Sequence, residues 1–152
     1  MDTLKVEVEE IELNVDIEID TFIANDKYLS IGQYYNKIDI FSMNSFKRLG
    51  NIKIDNKINH LEFHPKFCNI LSVSFINLKV CIFNINSKNE IQLKTEYLSN
   101  AKIIIFKTLF NPTYNPSLLA ILYDNNIKIW DINSYDCINN ININNKKILQ
   151  TN

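Results

Sequence analysis

Apolar and polar residues alternate along short stretches of this chain. Both Lys5–Glu12 and Val15–Ile19 alternate apolar residues with acidic or other polar ones. A period of two is the pattern of a half-buried β-strand. No stretch keeps apolar residues at i, i+3, i+4 and i+7 for long enough to predict a helix. The pattern therefore predicts an all-β fold of short strands, such as a sandwich, a barrel or a propeller.

The chain also repeats itself. Three segments share the order polar, apolar, variable, apolar, aromatic, small polar, apolar, with Phe41, Phe83 and Trp130 as the aromatic residues. Their spacings are 42 and 47 residues. The three segments are Lys37–Met43, Lys79–Ile85 and Asn126–Ile132. Cys81 occupies the variable position of the second segment, so we expect it to be partly exposed.

Three further strands are predicted around each of these segments. A second strand lies upstream of each, at 28–31, 70–73 and 118–121. Further upstream lies the first strand of each repeat, which ends in Phe22, Phe63 or Phe110. A weaker strand, the fourth of each repeat, follows each aromatic segment. Four strands per repeat at this spacing are typical of the blades of a β-propeller.

The third repeat carries the most specific motif. From Asp124 to Asp131 it reads Asp-Asn-Asn-Ile-Lys-Ile-Trp-Asp, which resembles the D-x-x-(V/I)-(K/R)-(V/I)-W-(D/N) signature of WD-repeat propellers. Two Phe-polar-Pro sequences, ending at Pro65 and Pro112, resemble the turn between the first two strands of such blades. The repeat signature comprises Phe41, Phe83, Asp124, Trp130, Asp131, Phe63, Pro65, Phe110 and Pro112.

The resemblance covers about residues 15–143 and implies a partial β-propeller of about three four-stranded antiparallel blades. These blades span about 15–54, 55–98 and 99–147, behind an acidic lead-in strand at 1–14, so the propeller segment is 15–152. The resemblance further implies that the inner strands line a central channel and that the aromatic residue of each third strand is buried between neighbouring blades. It implies a protein-interaction scaffold with no enzymatic activity and no cofactor.

The turns between the second and third strands are the candidate partner-binding surface. In a propeller they open on one face, and function usually lies in loops carried by a rigid scaffold. Aromatic residues are enriched in protein interfaces, and here they stand in turns where packing does not obviously require them. The candidates are Tyr34, Tyr35, Phe75 and Asn77. The alternative is that the aromatic side chains fold back over their blades. The opposing turns, which include Ser87–Asn89 and Ser134–Tyr135, are more polar and less promising.

The number of blades raises a second question. Propellers close with about four to eight blades, and three would leave apolar sheet faces in water. We expect either that the chain is a piece of a larger protein or that its ring is completed. In the latter case the chain is a structural subunit, and a second copy or another chain supplies the missing blades.

Charge and composition narrow the classes of function. Residues 1–20 carry one Lys and eight acids, whereas residues 21–152 carry fifteen Lys and Arg against nine acids. The net charge of -1 argues against a generic nucleic-acid binder. Two glycines leave no Gly-rich phosphate loop, and no apolar run is long enough to predict a membrane span. Three widely spaced cysteines indicate a reducing compartment, cytoplasmic or nuclear.

One constellation favours a different class, a metal protein or cryptic enzyme. His60, His64 and Cys68 are spaced four residues apart, which on a helix would place metal ligands on one face. Because the pattern predicts a strand followed by a turn here, we expect the side chains to point apart and to bind no metal.

Overall fold

The computed structural model describes residues 18–34, 37–98, 105–112, 115, 117–123 and 126–143. Within this part of the chain the regular structure consists of β-strands. The first four are β1 (Ile19–Ala24), β2 (Tyr28–Gln33), β3 (Lys37–Ser42) and β4 (Arg48–Lys53). The next four are β5 (Ile58–Phe63), β6 (Ile70–Phe75), β7 (Lys79–Ile85) and β8 (Ile91–Leu98). The last four are β9 (Ile105–Phe110), β10 (Leu118–Tyr123), β11 (Asn126–Asp131) and β12 (Cys137–Asn142). The predicted lead-in strand, Tyr35 and Asp124 lie outside the described residues.

The strands form three four-stranded antiparallel sheets, each paired in the order of the chain. We name them blade 1 (β1–β4), blade 2 (β5–β8) and blade 3 (β9–β12). The predicted fold class is confirmed: the chain is an all-β, partial β-propeller. Contacts between β1 and β5 and between β5 and β9 align the first strands of successive blades.

Similar turns close the outer edge of each blade. The residue that ends the turn before the fourth strand has a positive φ in all three blades: Phe46 (51°), Asn89 (62°) and Tyr135 (66°). The backbone N–H of each donates to a carbonyl oxygen three or four residues earlier, at 2.8–2.9 Å. The left-handed conformation lets the chain reverse within a few residues, although it is costly for a bulky side chain.

The core lies between the blades. We call the side of a blade that points to the next blade its forward face, and the opposite side its backward face. One cluster joins the forward face of blade 1, with Ile38 and Ile40, to the backward face of blade 2, with Phe63 and Val73. A second cluster joins the forward face of blade 2 to the backward face of blade 3. The second cluster contains Ile70, Val80, Ile82, Tyr97, Phe110, Leu119, Ile121 and Ile132.

The aromatic residues of the third strands take up related positions. Phe83 is buried between blades 1 and 2, and Trp130 packs against the cluster between blades 2 and 3. Phe41 is also buried, but on the backward face of blade 1, which no described blade covers. Cys81 is buried as well, so the expectation that it is partly exposed was wrong; its side chain points between blades 1 and 2.

The inner strand of blade 1 differs from the prediction. β1 ends at Ala24, and Ala24 rather than Phe22 occupies the paired position of Phe63 and Phe110. Phe22 lies two residues earlier and is 70% exposed on the backward face. A β-bulge between Ile19 and Thr21 accompanies this strand. Matching aromatic residues across the repeats therefore gave the wrong register at this strand.

Candidate functional site

The turns between second and third strands form one continuous surface in blades 1 and 2. Tyr34 is 42% exposed in the first turn, and Ile76 is 47% exposed in the second. Lys57, which precedes β5, joins them: its carbonyl oxygen accepts the N–H of Ile76 at 3.1 Å, and its Nζ lies 5.1 Å from the centroid of the Tyr34 ring. A cation over an aromatic face is an attractive arrangement. We call Tyr34, Lys57, Ile76 and Asn77 the turn surface.

Asn77 stabilises the second of these turns. Its Oδ1 accepts the backbone N–H of Lys79 at 3.3 Å, and the N–H of Leu78 donates to the carbonyl of Phe75 at 3.3 Å. Leu78 adopts a φ of 67°. The tight turn built in this way projects the exposed Ile76 away from the blade.

Of the predicted partner-binding residues, the structure places Tyr34 and Asn77 at this surface. Phe75 does not belong to it: the residue ends β6, is 5% exposed, and packs into the core between blades 1 and 2. Tyr35 lies outside the described residues. Sequence reasoning missed Lys57 and Ile76. An isoleucine between a buried strand and a polar Asn was the available signal for Ile76, whereas Lys57 comes from a different part of the blade.

The side chains of His60, His64 and Cys68 do not form one cluster. His60 Nδ1 lies 3.4 Å from Thr108 Oγ1 at the boundary of blades 2 and 3, and the carbonyl of Cys68 accepts a hydrogen bond from Asn25 Nδ2 at 2.8 Å. Among the residues that the structure describes, no group of three or more His, Cys, Asp or Glu side chains could hold a metal ion.

His64 stabilises a turn. Its Nδ1 accepts the backbone N–H of Lys66 at 3.0 Å and of Phe67 at 2.9 Å, just as Asn25 Oδ1 accepts the N–H of Lys27 and of the next residue in blade 1. The buried imidazole also packs on Phe67 and on Phe110 of blade 3, with ring centroids 4.8 and 4.7 Å apart. His64 therefore accepts the backbone N–H groups of its turn as Asn25 does in blade 1, and its ring also packs against blade 3.

A polar seam runs between the inner strands of blades 2 and 3. Ser72 Oγ donates to Thr108 Oγ1 at 3.1 Å, beside His60. The carboxyl of Glu62 faces the same seam; burial raises its pKa to about 7, against the opposing effects of the Phe110 N–H and the charge of Lys107. Burial, and then Lys107, lower the pKa of His60. Both side chains therefore favour their neutral forms when folded.

The Trp-Asp pair of the third blade is structural. Trp130 packs against Tyr97 of blade 2 with the two rings tilted and their centroids 4.7 Å apart. Asp131 Oδ1 accepts the backbone N–H of Asn133 at 2.8 Å and of Ser134 at 3.4 Å, which holds the pKa of this carboxyl below its usual range. Pro65 and Pro112 lie exposed in the turns after the inner strands.

Comparison with known proteins agrees with the geometry at the level of the fold. No family model matches the sequence, and no curated protein matches it. The chain is similar to the crystal structure of the β-propeller domain of Myceliophteria thermophila Cps50 (Swd1), with a TM-score of 0.66 and 12% sequence identity. The match covers 80% of this chain and 41% of that one, so the chain spans less than half of the propeller that it resembles.

A search of the described residues for helices that could cross a membrane found none of sufficient length and hydropathy.

Proposed function

We propose that this chain is a non-enzymatic protein-interaction scaffold of the WD-repeat type, which binds a protein partner through the turn surface. The observation that carries the proposal is the exposed pair Tyr34 and Ile76, held at one surface by Lys57. The register of the three blades and the Trp-Asp motif support the family. The described cysteines are all free thiols, which fits a reducing, intracellular compartment.

The chemistry of the turn surface suggests what the partner offers. Tyr34 and Ile76 provide aromatic and aliphatic area of the kind that anchors interfaces. The ammonium group of Lys57 lies over the Tyr34 ring and adds a positive charge to this surface. The partner that fits is a protein segment with an apolar side chain next to a carboxylate.

A double substitution tests this proposal. Tyr34→Ala with Ile76→Ala should leave folding intact, because both side chains are exposed, and should weaken partner binding at least tenfold. Partners recovered by pull-down with the full chain would be compared with those of the variant, and their affinities measured. Phe67→Ala is the matched control, since Phe67 is similarly exposed but lies in a turn after an inner strand. Unchanged partners and affinities in the double variant would refute the turn surface.

A second candidate function is that of a structural subunit whose propeller is completed by another chain. The specific observation is the exposure of Leu109 and Ile141 on the forward face of blade 3. Hydrodynamic mass separates the two functions: a purified chain that stays a stable 17.8 kDa monomer without aggregating would favour the self-sufficient scaffold.

A further inference from the structure

The forward faces of the three blades are built alike but are not equally covered. Paired residues of an antiparallel sheet share one face, and on the third strands the equivalent positions are Ile38 and Ile40, Val80 and Ile82, then Ile127 and Ile129. The first four side chains are 0% exposed because the next blade covers them. Ile127 and Ile129 in blade 3 are only half-buried.

The fourth strands repeat the difference. The paired residues on these strands are Ile52 opposite Ile38, Tyr97 opposite Val80, and Ile141 opposite Ile127. Ile52 and Tyr97 are buried, whereas Ile141 is 44% exposed. On the inner strand of blade 3, Leu109 is 46% exposed on the same face. We call this surface the terminal face; its apolar residues are Leu109, Ala120, Leu122, Ile127, Ile129 and Ile141, and it also carries the exposed polar residues Lys107 and Asn139.

We propose that the terminal face binds a four-stranded propeller blade supplied by another polypeptide chain. The forward faces of blades 1 and 2 are each covered by the backward face of a blade, and the terminal face continues these two interfaces. The apolar side chains of the terminal face extend over all four strands of blade 3, as an occupant of the width of a sheet requires. The proposal deepens the second candidate function and rests on it.

A second copy of this chain is a poor occupant. Its blades 2 and 3 already use their backward faces inside the chain. The backward face of its blade 1 is also largely occupied, because Ile31, Asp39 and Phe41 are at most 4% exposed. Packing two terminal faces on each other would place forward against forward, which neither interface within the chain does.

The terminal face also specifies the shape of its partner. In blades 1 and 2 the second strand carries Gly32 and Ser74 at the position where blade 3 carries Leu122. Ile58 of blade 2 packs directly on Gly32. Because Leu122 fills that space itself, the inner strand of the partner blade must carry a residue smaller than isoleucine where blade 2 has Ile58.

Site-specific photo-cross-linking tests the proposal in cells that contain the full chain. Benzoylphenylalanine would replace Leu109 or Ile141, and Phe67 in a control; cross-linked peptides would be identified by mass spectrometry. We expect both terminal-face positions to capture strands of one sheet of a different protein. Cross-links to this chain itself, or to a segment that is not part of a sheet, would overturn the proposal. So would a yield of cross-links no higher than that at position 67.

Binding of the captured protein, purified, to the full chain completes the test. Leu109→Lys with Ile141→Lys should weaken that complex at least tenfold, with an unchanged circular dichroism spectrum, since both side chains point outward. The Tyr34→Ala, Ile76→Ala variant should bind this blade normally, so a failure here is distinct from a failure of the turn surface. Equal affinity for wild type and the lysine variant would refute the terminal face as the site.

Discussion

Gly32 shows at the scale of one residue how closely the blades approach each other. A Cβ added at this position would lie 2.5 Å from Ile58 Cδ1 of blade 2 and 2.9 Å from Thr21 Cγ2. Both distances are shorter than van der Waals contact allows, and Ile58 is itself buried. The small residue at position 32 is therefore required by sheet-on-sheet packing.

Gly32→Ala should lower the free energy of unfolding by about 1–3 kcal/mol, the usual cost of overpacking a core. Ile58→Val removes the Cδ1 methyl and should relieve part of that loss in the double variant. Urea denaturation of the four proteins in the cycle measures both effects. At Gly50 an added Cβ would meet Ile91 Cδ1 at 3.1 Å, so Gly50→Ala is the milder comparison. If the two glycine variants were equally stable, Ile58 would not be the cause.

Glu62 should make stability fall as the pH rises from about 4.5 to about 7. Its pKa is raised from 4.5 to about 7 in the folded protein, so folding favours the protonated carboxyl. The stabilisation is complete below pH 4.5 and is lost as the pH rises through about 7. Glu62→Gln should therefore exceed the wild type at about pH 8 by on the order of 1 kcal/mol, since solvent screens this partly exposed group.

Urea unfolding across this pH range, followed by the fluorescence of the single Trp130, measures the effect. His60 acts in the opposite sense: its pKa is lowered below 6.5, so its contribution is present above that pH and is lost on acidification. The Glu62→Gln variant should still lose stability on acidification, because His60 is unchanged in it. Glu18→Gln, at an exposed position, is the control, and a Glu62→Gln profile that matches it above neutrality would contradict the prediction.

At the scale of elements, the aromatic residues of the strands stabilise the stacking of the blades. Phe83 on β7 is buried against blade 1, so Phe83→Ala should cost about 3–5 kcal/mol, as large-to-small changes of core aromatics do. Phe67→Ala, at an exposed turn position, should cost far less. Thermal and urea unfolding compare the two variants; equal losses would mean that the core between blades 1 and 2 is not what Phe83 stabilises.

The turns before the fourth strands give a second prediction at this scale. Asn89 has a φ of 62°, a conformation that asparagine tolerates and that β-branched residues strongly disfavour. Asn89→Val should therefore cost about 1–2 kcal/mol, whereas Asn89→Gly should be close to neutral. The free energies of unfolding of the two variants test this, and a valine variant as stable as the glycine variant would contradict it.

Sequence reasoning located these elements where side-chain patterns repeat, and it failed where they do not. The third strands were recognisable because the two positions on their forward face stay apolar in every blade. Phe22 misled the alignment of β1, because an aromatic residue that is exposed on the backward face of blade 1 need not match one in the core. Phe75 was assigned to a turn although it closes a strand. Lys57 and Ile76 meet only through a backbone hydrogen bond between segments, which no linear pattern reveals.

At the scale of the whole stack, blades 1 and 3 each carry a face that no described blade covers. Each internal face is covered by the next blade, but the terminal face of blade 3 exposes Leu109 and Ile141, and blade 1 exposes Phe22. Apolar side chains of this size, side by side on a sheet face, promote association. We therefore expect the purified chain to self-associate through these exposed faces even though its two internal interfaces are well packed.

Lysine substitutions separate these two properties. Leu109→Lys with Ile141→Lys should reduce the self-association of the purified chain and its binding of an apolar dye, and change its free energy of unfolding by less than about 0.5 kcal/mol, because surface substitutions rarely cost more. Leu119→Lys is the matched control: Leu119 lies on the opposite face of blade 3, 0% exposed against blade 2, so a charge there should unfold blade 3 and increase dye binding. Sedimentation velocity and dye fluorescence distinguish the outcomes. Were the double lysine variant to aggregate as readily as the wild type, the terminal face would not be the origin of association, and the backward face around Phe22 would be the surface to substitute next.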